Sequence, residues 1–205
     1  LKESKVEVEY GASFIEWSAE QALRTSGEIF ESPENKKKMF IIKQPIGVVA
    51  AITPWNFPLA MVTRKVAAAV ASGCSIILKP SELTPITALE LGKLSIEAGF
   101  PPGVFNVING DPSTIGNIFC QDKTVRKITF TGSTNVGKLL MKNSSSTVKN
   151  LTLELGGNAP FIVLEDADVE EAIDGFILAK FRNAGQTCIS ANRLFVHEQI
   201  FEKFI

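Results

Sequence analysis

Residues 46–78, IGVVAAITPWNFPLAMVTRKVAAAVASGCSIIL, predict a β-strand, an α-helix and a second β-strand in direct succession. Ile46–Thr53 is a β-rich run, Pro58–Ala71 has helical spacing, and Ser75–Leu78 is a short apolar strand. The alternation of strand and helix continues to Asn143, with connections too short for anything but crossover units. We therefore predict an α/β fold with a doubly wound parallel sheet.

The segments on either side of this stretch predict further elements. Ala12–Ser26 predicts a helix that ends at Gly27, and Ser32–Lys38 predicts an exposed turn. A hydroxyl at Thr84 followed by Pro85 is typical of a capped helix start. In chain order we then predict a helix to Ala98, a strand at Phe105–Ile108, a helix at Ile115–Cys120, a strand at Lys127–Thr129, a helix from Ser133 or Thr134 to about Asn143, strands at Thr152–Leu155 and Phe161–Val163, a helix at Val169–Phe181 and a strand at Leu194–His197.

The bulk composition is that of a soluble globular protein. A net charge of −1 provides no basic field for nucleic acid or an anionic membrane, and the longest apolar stretch is shorter than the roughly 20 residues of a membrane span. Three widely spaced cysteines favour a reducing compartment, which we take as cytoplasmic, with the mitochondrial matrix as the alternative. The chain starts without Met and stops inside an amphipathic pattern at residues 201–205, so we expect a fragment of a longer protein. No residue pattern indicates a metal site.

Four polar motifs follow predicted strands or open predicted helices. They are TPWNFP (Thr53–Pro58), FTGST (Phe130–Thr134), ELGGNAP (Glu154–Pro160) and KFRNAGQTCIS (Lys180–Ser190). Together they resemble the aldehyde dehydrogenase superfamily over the whole chain. Ile42–Gly47, Ile52–Pro58 and Lys180–Asn192 are similar to its succinate-semialdehyde dehydrogenases.

The resemblance implies a covalent mechanism. Cys188 matches the nucleophile, and a thiolate suits both addition to a carbonyl and the thioester that follows. Glu154 matches the general base that activates water. Asn56 matches the amide that stabilises the oxyanion together with the backbone N–H of Cys188, and Lys65 matches a lysine near that asparagine. The remaining cysteines and the single histidine are interpreted as structural: Cys74, Cys120 and His197.

A Gly-x-Gly-x-x-Gly fingerprint is absent, and Gly132–Gly137 takes its place between a strand and a helix. A helix start suits a pyrophosphate, although an ordinary N-cap at Ser133 explains the same residues. By resemblance Ser133 and Trp55 contact the pyrophosphate, and Lys79 and Glu82 hold the adenosine ribose; a solvated Lys/Glu pair is the alternative. The Glu82 charge would repel a 2′-phosphate, so NAD is the expected cofactor, with NADP possible. The predicted cofactor-binding residues are Ile52, Thr53, Pro54, Trp55, Lys79, Ser81, Glu82, Gly132, Ser133, Leu155 and Gly156.

Two arginines bear on the substrate. Many relatives that act on apolar aldehydes carry aromatic residues at the positions of Arg64 and Arg182, and cations there imply a substrate with a far carboxylate. The resemblance gives the two arginines this role, with Phe57 as a further substrate contact; two surface arginines are the alternative. Glutarate semialdehyde is one methylene longer than succinic semialdehyde and stays open. Ser190 stands where some members have a second cysteine, so a disulfide with Cys188 is not expected.

The predicted organisation is a partial NAD-binding domain at residues 1–157 and the start of a catalytic domain at 158–205. A β-hairpin at about residues 39–48, built from Met39–Lys43 and the run after Gln44-Pro45, is expected to project from the first domain. In the family this hairpin belongs to a small oligomerisation domain, so a homodimer or homotetramer is expected of the complete protein. A fragment that binds nucleotide without activity is the competing hypothesis.

Overall fold

The computed structural model describes residues 1–34 and 36–205, which form two compact units, Leu1–Glu154 and Leu155–Ile205. The helices of the first unit are α1 (Lys2–Ala22), α2 (Ala60–Ala71), α3 (Ile86–Glu97), α4 (Pro112–Gln121) and α5 (Thr134–Ser144). Its strands are β1 (Glu28–Glu31), β2 (Lys38–Ile41), β3 (Val48–Ile52), β4 (Ile76–Lys79), β5 (Phe105–Val107), β6 (Val125–Gly132) and β7 (Asn150–Leu155), the last of which ends at the first residue of the second unit.

Among the described residues, five strands form the main sheet in the order β5-β4-β3-β6-β7. The pairs β3/β4, β3/β6 and β4/β5 are parallel. Ile52 at the end of β3 lies opposite both Lys79 of β4 and Phe130 of β6, so the three strands reach the same edge together. The predicted parallel α/β sheet is confirmed.

The core of the first unit lies where α2 and α3 cover this sheet. Strands β3 and β4 are nearly continuous apolar runs because a parallel sheet is covered on both faces. Their buried side chains pack with apolar residues of the two helices. The cluster comprises Val49, Ala51, Val62, Val66, Cys74, Ile76, Leu78 and Ala88, which bears out the interpretation of Cys74 as a core residue.

The β-hairpin lies closer to the N-terminus than predicted. Strand β1 pairs with β2 in antiparallel register, from Glu28 opposite Ile41 to Glu31 opposite Lys38, so the hairpin spans residues 28–41 and the prediction of 39–48 is wrong. A Cβ at Gly27 would collide with the carbonyl oxygen of Ile41, so this glycine allows the chain to pass close to the second strand. The predicted turn at residues 32–38 connects the two strands, apart from Asn35, which lies outside the described residues.

Several helix boundaries differ from the prediction; α4, for example, begins at Pro112, three residues before the predicted Ile115. Helix α1 begins at Lys2 and ends at Ala22, so it starts ten residues before the predicted Ala12. Helix α3 begins after Pro85 without a side-chain cap, and the buried Thr84 hydroxyl has no hydrogen-bond partner in the described part of the chain, so the predicted Thr84 cap is wrong. By contrast, Ser133 caps α5 as one of the two predicted candidates, with Oγ accepting a hydrogen bond from the Val136 N–H at 3.3 Å.

The second unit is a smaller α/β structure. Strand β8 (Ala159–Val163) pairs in parallel with β9 (Ala191–Val196), and α6 (Val169–Phe181) has the predicted bounds. Its core joins Phe161, Phe176 and Phe204, the last from the short helix α7 (Phe201–Phe204), with ring centroids 5.4 and 6.4 Å apart in successive pairs. In the described part of the chain, no helix combines the length and apolarity needed to cross a membrane.

Candidate active site

The carboxyl edge of β3 and β6 carries buried hydroxyl groups. Thr53 follows β3 directly, and its N–H donates to the carbonyl oxygen of Lys79 at 3.2 Å. Thr131 lies near the end of β6. Both side-chain oxygens are buried, and neither has a hydrogen-bond partner among the described residues. Since buried polar groups are nearly always paired, this edge has the chemistry of a polar ligand site.

Lys79 and Glu82 form an ion pair beside that edge. The Lys79 side chain is buried, and its Nζ donates to Glu82 Oε2 at 2.6 Å and to the carbonyl oxygen of Pro80 at 3.0 Å. This hydrogen bond from Lys79 lowers the pKa of the Glu82 carboxyl. Ser81 Oγ accepts from the N–H of Leu83 at 3.2 Å, so its hydroxyl supports the turn. The alternative of a solvated Lys/Glu pair therefore does not describe Lys79, because its side chain is buried.

The segment between β6 and α5 brings backbone N–H groups to the same edge. A Cβ at Gly132 would collide with the Phe130 ring, so only glycine fits there. Ser133 adopts an extended backbone with ψ 148° before the helix, and its hydroxyl caps the first turn. The cap and an anion at the helix start are compatible, because both use N–H groups of the first turn.

Asn56 lies in the loop between β3 and α2, beside Trp55, whose side chain is exposed. Its Oδ1 accepts from the Phe57 N–H at 3.1 Å. This hydrogen bond shows that the oxygen of the Asn56 amide faces the backbone, so the NH₂ group at the other end is the donor. The start of α2 is fixed from another helix: Glu7 Oε1 accepts from the N–H groups of Leu59 and Ala60, at 2.9 and 2.6 Å.

Arg64 projects from α2 without an acidic partner. Its guanidinium carbon lies 5.4 Å from the centroid of the Phe14 ring, and Nη1 lies 3.9 Å from the Met61 sulfur. No carboxylate within residues 1–34 or 36–205 forms an ion pair with it. Half-buried and unpaired, this guanidinium retains donors for an anion.

Lys65, the next residue, is buried and donates from Nζ to Thr129 Oγ1 at 3.1 Å. Burial lowers its pKa to about 8; the Arg64 charge adds to this effect, whereas Glu154 opposes it. Lys65, Arg64, Lys127 and Glu154 line one cavity of about 490 Å³ in the first unit. The predicted base and this lysine therefore share a polar cavity.

Cys188 lies in the second unit and is exposed. The backbone before it is strained, because the non-glycine residues Asn183 and Ala184 have φ of 52° and 55°. Non-glycine residues rarely adopt this left-handed conformation. A Cβ at Gly157 would lie 2.9 Å from the carbonyl oxygen of Cys188, so the glycine lets the two segments meet.

The second unit contains other residues that the sequence analysis singled out, among them Leu155, Gly156, Arg182 and Ser190. Ser190 is buried and its Oγ donates to the carbonyl oxygen of Lys180 at 3.1 Å, so the residue that replaces the second cysteine anchors the turn. Arg182 is exposed at the end of α6. Leu155 ends β7, and Gly156 has open space around its Cα. Cys188 and Arg182 thus belong to one unit, and Asn56, Arg64, Lys65 and Glu154 to the other.

Three contacts of the site were missed by sequence reasoning. Thr129 bonds Lys65, Phe14 packs against Arg64, and Glu7 caps α2. Each pair is separated by about fifty residues or more, so no local pattern reports it. The one available signal was Gly11, a glycine inside a helical pattern, which often marks a close helix crossing.

A profile of the aldehyde dehydrogenase family matches residues 1–205. The chain belongs to the aldehyde dehydrogenase family, which confirms the resemblance. It is 56% identical to a mitochondrial succinate-semialdehyde dehydrogenase of Oryza sativa subsp. japonica, over 100% of this chain and 39% of that protein. It is 52% identical to a 3-sulfolactaldehyde dehydrogenase of Pseudomonas putida, over 100% of this chain and 42% of that protein.

The fold also matches solved structures. The crystal structure of an NADP-dependent enzyme from E. coli superimposes with a TM-score of 0.97 at 51% identity, over 99% of this chain and 42% of that chain. The chain thus spans about 40% of the length of the relatives that it matches.

Proposed function

We propose that the protein containing this chain oxidises a short aldehyde with a carboxylate at its far end, and that its substrate is succinic semialdehyde. The observation that carries the proposal is the guanidinium of Arg64, which lies 5.4 Å from the centroid of the Phe14 ring and forms no ion pair with the residues that the structure describes. An unpaired arginine forms bidentate, charge-assisted hydrogen bonds to a carboxylate. The 56% identity to a succinate-semialdehyde dehydrogenase supports the same substrate class.

The proposed reaction divides the chemistry between Cys188 and Glu154. The Cys188 thiolate adds to the aldehyde carbon, and the Asn56 NH₂ group and the Cys188 N–H stabilise the resulting oxyanion. After oxidation the acyl group remains on Cys188 as a thioester. Water then attacks the thioester, Glu154 takes its proton, and succinate and the free thiol are released. The charge of Glu154 would raise the pKa of Lys65, since the two groups line one cavity.

A nicotinamide dinucleotide fits the polar edge of the sheet. The buried Thr53 and Thr131 oxygens have no hydrogen-bond partner among residues 1–34 and 36–205, and together with the Lys79–Glu82 pair they provide the polar groups that such a ligand requires. When bound, the dinucleotide supplies the hydride acceptor that the oxidation needs. We assign it to Ile52, Thr53, Pro54, Trp55, Lys79, Ser81, Glu82, Gly132, Ser133, Leu155 and Gly156. Glu82 favours NAD, whereas the NADP-dependent E. coli enzyme of the same fold supports NADP.

Arg182 and Phe57 complete the proposed substrate site. Two further substrates are consistent with an anion at the far end of the aldehyde. Glutarate semialdehyde differs by one methylene, which discriminates by only about 1–3 kcal/mol. A 3-sulfolactaldehyde would present a sulfonate to the same arginines, and a relative with this activity is 52% identical.

The complete protein is proposed to be a homodimer or homotetramer in the cytoplasm or the mitochondrial matrix. Exposed apolar side chains on the hairpin, among them Ile29, Phe30 and Phe40, support its role in assembly. The mitochondrial name of the rice relative supports the second location. The division into a cofactor-binding part at residues 1–157 and the start of a catalytic part at 158–205 is proposed with it. Cell fractionation and sedimentation of the native-length protein test these proposals.

The test is the formation of reduced nicotinamide by the native-length protein with succinic semialdehyde, glutarate semialdehyde, 3-sulfolactaldehyde and butanal. We expect the highest kcat/KM with succinic semialdehyde, its loss in Cys188→Ala, and a raised KM in Arg64→Gln and Arg182→Gln. Equal activity with butanal, which lacks the charge, would remove the substrate assignment. If the isolated protein has a mass of 22.2 kDa and binds nucleotide without oxidising any aldehyde, the competing fragment hypothesis holds.

A further inference from the structure

Helices α1 and α2 are fixed to each other at the point where α2 begins. Glu7 of α1 accepts hydrogen bonds from the Leu59 and Ala60 N–H groups, at 2.9 and 2.6 Å. One turn further along α1, a Cβ at Gly11 would lie 2.8 Å from Leu59 Cγ, so the Leu59 side chain packs directly against the backbone of α1 at this glycine. A charged cap and a close crossing in successive turns set the register of the two helices.

This register places the Phe14 ring against Arg64. Phe14 follows Gly11 by three residues and is therefore on the same face of α1. Its ring lies 5.4 Å from the guanidinium carbon, within the range of a cation–π interaction. The Phe14 ring also packs against Tyr10, with the ring centroids 4.8 Å apart and the planes at 58°.

The ring orients the guanidinium without neutralising it. An acidic partner would satisfy the donors of Arg64 and compete with a substrate anion, whereas the face of a phenyl ring uses none of its N–H groups. An arginine has several rotatable bonds, and ordering them on binding weakens affinity. A guanidinium that is already held on a ring avoids part of this loss.

We propose that Phe14 is a positioning residue that holds Arg64 ready for the substrate carboxylate and thereby determines specificity for charged semialdehydes. This inference rests on the proposed function, because it assigns Arg64 to the substrate. Phe14 acts through Arg64 and contributes to the binding of the carboxylate, not to the chemistry at the aldehyde carbon. Its loss therefore affects KM for a charged aldehyde more than kcat.

The experiment compares succinic semialdehyde with butanal, an aldehyde of equal chain length without the carboxylate, in the native-length protein. In Phe14→Leu we expect KM for the semialdehyde to rise about 5-fold, the size of one cation–π interaction, while KM for butanal changes by less than about 2-fold. Phe195→Leu is the matched control, since it breaks a second arginine–phenylalanine pair, with Arg193 at 5.8 Å, outside the site. It leaves both KM values unchanged.

Replacement of Phe14 by 3,4,5-trifluorophenylalanine keeps the shape of the ring and removes its negative face, so it tests the interaction even where Phe14→Leu fails to fold. We expect this replacement to raise KM for the semialdehyde and to leave KM for butanal unchanged. Phe14→Tyr, which keeps an aromatic ring, should leave KM for the semialdehyde at its wild-type value. In an Arg64→Gln background, Phe14→Leu adds no further increase. An equal change for both aldehydes, or no change, overturns the role of Phe14. The proposed function is tested separately in the wild type: it fails if kcat/KM for butanal equals kcat/KM for the semialdehyde.

Discussion

The buried ammonium of Lys65 gives a prediction whose size follows from the structure. Lys65→Met removes the charge and keeps a flexible apolar chain of similar length. Burial, assisted by the Arg64 charge, lowers the Lys65 pKa from 10.5 to about 8. That lowering corresponds to roughly 3 kcal/mol of destabilisation of the charged form in the folded protein.

The sign of the pH dependence follows from linkage. Below about pH 8, Lys65 is protonated in both the folded and the unfolded chain, and the folded state carries the full cost of its burial. Between about pH 8 and 10.5 the unfolded chain keeps the proton that the folded chain has lost. The free energy of unfolding of the wild type relative to Lys65→Met therefore rises with pH, by roughly 3 kcal/mol across this window.

The assay is urea unfolding of the wild type and Lys65→Met, followed by circular dichroism at a series of pH values from about 7 to 10.5. Lys138→Met is the control, because Lys138 is exposed on α5 and its charge is hydrated in both states. We expect its difference from the wild type to be independent of pH. If the Lys65→Met difference is equally flat, the ammonium is not desolvated and the reasoning fails.

Three further predictions concern other positions. Gly11→Ala is expected to lower the free energy of unfolding by about 1–3 kcal/mol, because its methyl group would lie 2.8 Å from Leu59 Cγ; Gly175→Ala, whose nearest neighbour would be 3.6 Å away, is the control, and an equal effect in thermal melts would contradict the tight crossing. Ala184→Gly should stabilise the second unit by about 0.5–1 kcal/mol by relieving a φ of 55°, and a lowered unfolding midpoint would refute the strain. Glu82→Gln should shift the kcat/KM ratio towards NADP by about tenfold, the worth of a charged hydrogen bond; an unchanged ratio would remove Glu82 from cofactor selection.

Local physics explains what the sequence allowed us to predict. The β-rich run of β3 and the short apolar strand β4 predicted the parallel sheet, because such strands are buried on both faces. Ser133 was one of two candidates for the cap of α5, and α6 has its predicted bounds at Val169–Phe181. Each of these features depends on residues within a few positions of one another.

The failures have a physical reason as well. Every residue of β1 and β2 is exposed, so neither strand has the alternation of buried and exposed positions that sequence reasoning detects. The hairpin was instead assigned to the apolar run that begins at Ile46, which belongs to the main sheet. Contacts such as Glu7 with Ala60, 53 residues apart, arise only when two helices pack, and no local pattern encodes them.

Three cations of the first unit, Lys79, Lys65 and Arg64, differ in how their surroundings compensate their charge. Lys79 is buried and forms an ion pair with the Glu82 carboxylate, so its charge is already compensated within the fold. Lys65 is buried and donates a hydrogen bond to the Thr129 hydroxyl, and burial lowers its pKa to about 8. Arg64 rests on an aromatic ring and forms no ion pair with any described residue. Of the three, Arg64 is therefore the cation best suited to form an ion pair with a carboxylate of the substrate.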